Sequence, residues 1–110
     1  MTVSDLERAR GFYSALGLEL TAEQHGNGPL HYSCVMQNTI MELYPCTKDH
    51  PPRAPLRMGF DSKAATWRGF VSENLLKTEP RLLRTSAAAD VYLIRDPDGN
   101  AIELEVGTNE

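Results

Sequence analysis

Asp90-Val-Tyr-Leu-Ile-Arg-Asp-Pro-Asp-Gly-Asn-Ala-Ile-Glu-Leu-Glu-Val106 is the stretch that decides how this chain folds. It reads as a hairpin, with an apolar run Val91–Ile94, a tight turn, and a second run Ala101–Val106. Asp96 suits the first position of a type I turn, Pro97 presets φ at the second, and Gly99 takes the left-handed position that closes it. The second run alternates: Ile102, Leu104 and Val106 share one face, and Ala101, Glu103 and Glu105 the other. Carboxylates on one side of a half-buried strand read first as a solvated sheet face. They gain interest because the pattern occurs twice.

Working backwards, residues 80–85 read as a short strand and Ala87-Ala88-Ala89 as a loop. Ahead of them lies a helix from Ala64 to about Leu76, with Asp61 or Ser62 as its cap and Trp67, Phe70, Val71 and Leu75 on one stripe. Leu56, Met58 and Phe60 alternate with Arg57 and Gly59 in the strand that precedes it. Residues 46–54 are proline-rich and nearly free of apolar side chains, which marks a linker. It separates a first module of about 1–45 from a second of about 55–107 within one domain.

The first module opens with Ser4 and Glu7 in a capping-box spacing. Leu6, Ala9, Phe12, Tyr13 and Leu16 then fall on one helical face, stopped by Gly17. Leu18–Ala22 reads as a strand, and Gln24–Pro29 as an irregular loop. Leu30–Met36 and Thr39–Tyr44 read as two strands joined at Gln37-Asn38. Met41-Glu42-Leu43 in the first module matches Ile102-Glu103-Leu104 in the second, and Val3 matches Ser62 at the start of each helix. Glu42 lies 39 residues after Val3, and Glu103 lies 41 after Ser62. A shared period makes the two carboxylates pseudo-symmetric, a route to an oxygen-rich metal site.

The chain has 110 residues, 41% of them hydrophobic, with a net charge of −4 and no Lys/Arg cluster. These values fit one modest core and count against a nucleic-acid or anionic-membrane surface. No apolar run approaches the roughly 20 residues of a membrane span. Cys34 and Cys46 form neither a disulfide framework nor a metal-ligand spacing, which points to free thiols in a reducing cytoplasm. No nucleophile–base arrangement, phosphate loop or thiol pair occurs, so serine-hydrolase, nucleotide-binding and disulfide-redox readings lack support.

SDLERARGFYSALGL, NTIMELYP and DPDGNAIELEV together resemble the glyoxalase/bleomycin resistance/extradiol dioxygenase superfamily, the vicinal oxygen chelate fold. The resemblance covers nearly the whole chain and is specific for fold rather than reaction. It implies an α+β protein of two βαβββ modules, with a cup-shaped mixed sheet and helices on its outer face. It further implies a divalent metal (Mg, Mn, Zn, Ni or Fe) held by the first and last strands of each module. Glu42 and Glu103 match the two last-strand ligand positions. Arg57 stands at the first-strand position of the second module, where a guanidinium offers no lone pair. The fourth position falls upstream of Met1.

Two expectations follow from the resemblance. The first is a sequestering or resistance-type protein that binds a small organic molecule without a complete metal site. The second is a metal-dependent lyase, isomerase or dioxygenase, with Glu42 and Glu103 as ligands and Glu103 doubling as catalytic base. Arg57 is expected to contact Glu103, repel divalent ions and grip an anionic ligand. His31, on a face with Ser33 and Val35, and Tyr92 are further candidates for contact with the ligand, with a surface or core-edge position as the alternative for His31 and core packing for Tyr92. Because almost nothing precedes Thr2-Val3, strand 39–44 should present an unpaired apolar edge. A homodimer covering that edge, or a start upstream of Met1, is the expectation.

Overall fold

The computed structural model describes residues 1–36, 39–52, 58–73, 76 and 78–107. Its elements run β1 (Thr2–Val3), α1 (Leu6–Ala15), β2 (Thr21–Glu23), β3 (His31–Met36), β4 (Thr39–Pro45), β5 (Met58–Ser62), α2 (Ala64–Ser72), β6 (Arg81–Thr85), β7 (Ala89–Arg95) and β8 (Ala101–Gly107). Two four-stranded sheets result, ordered β1-β4-β3-β2 and β5-β8-β7-β6. In each, the strand before the helix pairs parallel with the last strand, and the others pair antiparallel. This is the expected pair of βαβββ modules.

The repeat holds residue by residue. Val3 pairs with Pro45 and Ser62 with Val106, and Glu42 and Glu103 each lie three residues before those partners. On the neighbouring strands Ser33 faces Glu42 and Leu93 faces Glu103. The two carboxylates are therefore equivalent in register as well as in spacing.

Strand alternation sorts each sheet into two faces. Met41 and Leu43 of β4, with Cys34 of β3, are buried beneath α1, and Ile102, Leu104 and Val106 of β8 are buried beneath α2. A single core joins the modules. The Phe12 ring meets Phe70 edge-on at 5.1 Å between centroids, and Tyr13 meets Phe60 at 6.0 Å. Burial raises the pKa of the Cys34 thiol, as it must when a thiolate would sit in an apolar layer.

Local chemistry departs from expectation at both helix starts. Asp5, not Ser4, caps α1, its carboxylate accepting from Arg8 N at 3.0 Å. Ser4 and Glu7 are drawn elsewhere: Ser4 N–H and Oγ–H donate to the Asp98 carboxylate, while Glu7 accepts from Arg10 and the Tyr32 hydroxyl. At α2 the cap position is Lys63, which makes no side-chain capping bond. Asp61 and Ser62 are held in the parallel ladder opposite Glu105 and Val106, so the cap falls one residue later while the helix still starts at Ala64 and ends at Ser72. Val71 is exposed rather than core-facing, and the Leu75 of the expected stripe lies outside the described residues, as do the turn residues Gln37 and Asn38.

The turn of the β7–β8 hairpin forms as read. Gly99 adopts φ 84°, its N–H donates to Asp96 O at 2.9 Å, and Asp96 N–H donates to Asn100 O at 3.1 Å. The surprise is where Asp96 points. Only 4% exposed, it accepts from Asp98 N, Asn100 N and Asn100 Nδ2 within its own turn, and from the Tyr13 hydroxyl of α1 at 2.6 Å. Together with the Ser4–Asp98 bonds, this turn ties the second module to the helix of the first.

β1 covers only the end of β4, opposite Tyr44 and Pro45, with Tyr44 N–H donating to Met1 O and Cys46 N–H to Val3 O at 2.9 Å each. The expected open edge is therefore closed at that end. From residue 40 to 43 the same edge has no strand partner among the described residues.

Candidate functional site

The face of each sheet turned away from its helix carries the chemistry. In the first sheet, Glu23 of β2 pairs with His31 of β3, Ser33 pairs with Glu42 of β4, and Tyr44 follows two residues on, so all five share this open face. Val35 and Ile40 complete it as an opposed pair, 76% and 66% exposed.

His31 is the fixed point. It is 1% exposed and stacks on the Tyr44 ring at 4.3 Å with a 14° interplanar angle. Its Nδ1 lies 3.2 Å from Pro29 O, an acceptor only, so Nδ1 carries the proton and donates. Nε2 lies on the other side of the ring from that anchor. It lies 3.4 Å from Glu42 Oε2 but makes no hydrogen bond of acceptable geometry. Glu42 Oε2 also accepts from the Tyr44 hydroxyl at 3.2 Å. Desolvation, helped by that carboxylate, raises the pKa of the Tyr44 phenol. Beside this group the His25 ring sits 5.1 Å from His31, and its Nε2 is 3.8 Å from Glu23 Oε2. Glu23 in turn accepts from the Ser33 hydroxyl.

The second sheet carries a different set at equivalent places. Glu103 is approached by Arg84 of β6, Nη1 to Oε1 3.2 Å. The positions that match His31 and Glu23 by register are Val91 and Arg84. A shallow hollow of about 460 Å³ lies at the end of this sheet, among Asp61, Lys63, Ala88 and Glu105. The two modules share a backbone pattern, yet only the first builds a histidine–carboxylate cluster.

Of the sequence-predicted site residues, His31 and Glu42 come together on the first sheet, and Glu103 occupies the equivalent position on the second. Tyr92 does not join either group. It pairs with Leu104 on the helix-facing side of its sheet and stacks on Trp67 at 4.8 Å, so its ring is core packing. Arg57, with the contact to Glu103 expected of it, lies outside the described residues, and Arg84 supplies a guanidinium to Glu103. Of the four ligand positions that the resemblance implies, the structure describes two, Glu42 and Glu103. Glu42 accepts from the Tyr44 hydroxyl and lies beside His31 without a hydrogen bond to it, Glu103 pairs with Arg84, and among the described residues no group of three potential ligands includes Glu103. Glu23 and His25 carry no sequence signal for a site. Reading residues 21–36 as one hairpin would have placed Glu23 opposite His31.

No protein-family model matches the sequence, and no curated protein matches it. Solved structures do. A glyoxalase/dioxygenase from Nostoc punctiforme is 21% identical over 99% of this chain and 88% of its own, with a TM-score of 0.68. A glyoxylase/bleomycin resistance protein/dioxygenase domain from a Frankia species is 18% identical over 98% and 87%, with a TM-score of 0.57. An antibiotic-binding protein from a Streptomyces species is 21% identical over 98% and 93%, with a TM-score of 0.61. With paired βαβββ modules, equivalent last-strand carboxylates and this coverage, the chain has the fold of the glyoxalase/bleomycin resistance/dioxygenase superfamily.

Proposed function

We propose that the protein binds a small organic molecule on the open face of its first sheet, and that the favoured ligand is a flat aromatic cation. One observation carries this reading: the highly exposed Val35–Ile40 pair lies on the same face as the Tyr44–His31 stack and the carboxylates of Glu42 and Glu23. Apolar surface with a few convergent polar groups is the usual composition of a ligand site. Aromatic planes and carboxylates favour a flat cation. The antibiotic-binding protein among the structural neighbours supports a sequestering role for such a surface. Metal-dependent lyase, isomerase or dioxygenase chemistry through Glu42 and Glu103 together is the weaker reading, because the Arg84 guanidinium on Glu103 repels a divalent ion there.

The probe is 9-aminoacridine, titrated by its own fluorescence, with anthracene-9-carboxylate as its anionic counterpart. Saturable binding of the cation, weakened about tenfold in Glu42→Gln and absent for the anion, is expected; tenfold corresponds to about 1.4 kcal/mol. Tighter binding of the anion, or no effect of Glu42→Gln, refutes the reading.

We also infer a homodimer. The uncovered run of β4 from 40 to 43 ends beside the exposed Ile40, and a free strand edge with apolar neighbours invites pairing with a second copy. Sedimentation at low micromolar concentration should give a dimer, reduced to monomer by Ile40→Lys. A monomeric wild type removes the inference.

A further inference from the structure

We propose that Glu23, His25 and His31, with Glu42 as a fourth ligand, form a site for a single divalent transition-metal ion of the zinc class. Glu23, His31 and Glu42 stand on β2, β3 and β4 and His25 in the loop between β2 and β3, away from the first-strand positions and from Glu103. It does not depend on the aromatic-ligand reading.

Three observations meet here. One ligand atom from each of Glu23, His25 and His31 lies within 4.8 Å of the others. A tetrahedral centre with bonds of about 2.0–2.2 Å holds its ligands roughly 3.2–3.6 Å apart, so a closure of about 1 Å completes it. The side chains that must move are the free ones, since His25 is 73% exposed and Glu23 36%.

The second observation is the unsatisfied nitrogen of His31. Its Nε2 is buried and lacks a hydrogen-bond partner, which is costly for a group taken out of water. It also confronts Glu42 Oε2 across 3.4 Å. Two electron-rich atoms held that close gain attraction only from a cation between them, either a proton or a metal.

The third is how the ring is oriented. His31 donates Nδ1–H to a backbone carbonyl and is clamped by Tyr44. That is the arrangement by which proteins fix the tautomer of a metal-binding histidine and aim its other nitrogen. Two imidazoles with carboxylates select zinc, nickel or cobalt over magnesium or calcium, which prefer all-oxygen shells. The matching positions of the second module, Val91 and Arg84, offer no ligand, so one ion per chain is expected.

The test uses chelator-stripped wild-type protein titrated calorimetrically with Zn²⁺, Ni²⁺ and Co²⁺, with Co²⁺ also followed by its visible absorption. One-to-one saturable binding in the micromolar range is expected, with a cobalt spectrum of low-symmetry four-coordination. His25→Ala and Glu23→Gln alter exposed side chains and should each weaken binding at least tenfold, while Glu19→Gln, an exposed carboxylate elsewhere, leaves it unchanged. Binding should weaken on acidification, as protons compete for the imidazole nitrogens. Absence of one-to-one uptake of all three ions overturns the proposal, as does unchanged affinity in either His25→Ala or Glu23→Gln. The acridine titration, run in chelator, reports on the ligand reading separately.

Discussion

Replacing Asp96 by Ala should cost about 3 kcal/mol or more of folding stability, among the largest effects available from a single polar side chain here. Asp96 is nearly fully buried and accepts from four donors: Asp98 N, Asn100 N, Asn100 Nδ2 and the Tyr13 hydroxyl. Alanine strands all of them, and the desolvated Tyr13 hydroxyl is the one least able to turn to water. Tyr13→Phe removes only the inter-module bond and should cost about 1–2 kcal/mol. Urea denaturation of the three proteins decides the matter. Losses below about 1 kcal/mol for Asp96→Ala would show that the turn is not the brace it resembles.

The Tyr13 bond has a pH signature. Burial, then the bond to Asp96, raise the phenol's pKa above its usual 10.0. A raised folded-state pKa stabilises fully below the unfolded value and loses that stabilisation as pH climbs past it. The stability gap between wild type and Tyr13→Phe should thus hold through neutral pH and shrink only above about pH 10.

Phe70→Ala is the second large effect, expected at about 3–5 kcal/mol. Phe70 is 1% exposed and lies where the two helices meet, edge-on to Phe12 and 5.9 Å from the Trp67 ring. Its removal opens a cavity between modules that share one core. A domain of this size is stable by about 5–15 kcal/mol, so the variant should be marginal. Trp67, the single tryptophan, reports the loss through its fluorescence during thermal unfolding. Because Phe12 and Phe70 touch, Phe12→Ala and the double variant should be strongly non-additive. Additive losses would mean that the modules are stabilised separately.

The fold was legible because its signals are local and doubled. The Asp96–Gly99 turn, the apolar stripe of α1 and the Met41-Glu42-Leu43/Ile102-Glu103-Leu104 match each reflect backbone chemistry that adjacent residues determine. The helix caps were misread because Ser4 and Glu7 have stronger partners in Asp98, Arg10 and Tyr32, and the Asp98 contact spans 94 residues. The site was half legible. Glu42 and His31 could be picked out by face, but the pairing of Glu23 with His31 follows from the register of a hairpin whose loop, Gln24–Pro29, gives no turn signature. The approach of Arg84 to Glu103 depends on the shifted register between Leu82 and Arg84 in β6, which alternation does not foresee. Tyr92 was a candidate by its aromatic type, and its pairing with Leu104 puts it on the helix-facing side, the core alternative.

If the open face of the first sheet, and not the acidic turn at 96–100, is where this protein meets its ligand, the binding should register on β3 and β4. Backbone amide shifts recorded while 9-aminoacridine is titrated into the protein test it most directly. The largest shifts are expected at Ser33, Val35, Glu42 and Tyr44, with Asp96–Asn100 and the Trp67–Tyr92 stack unmoved. Shifts centred on the second sheet around Arg84 and Glu103, with the first sheet silent, would contradict it.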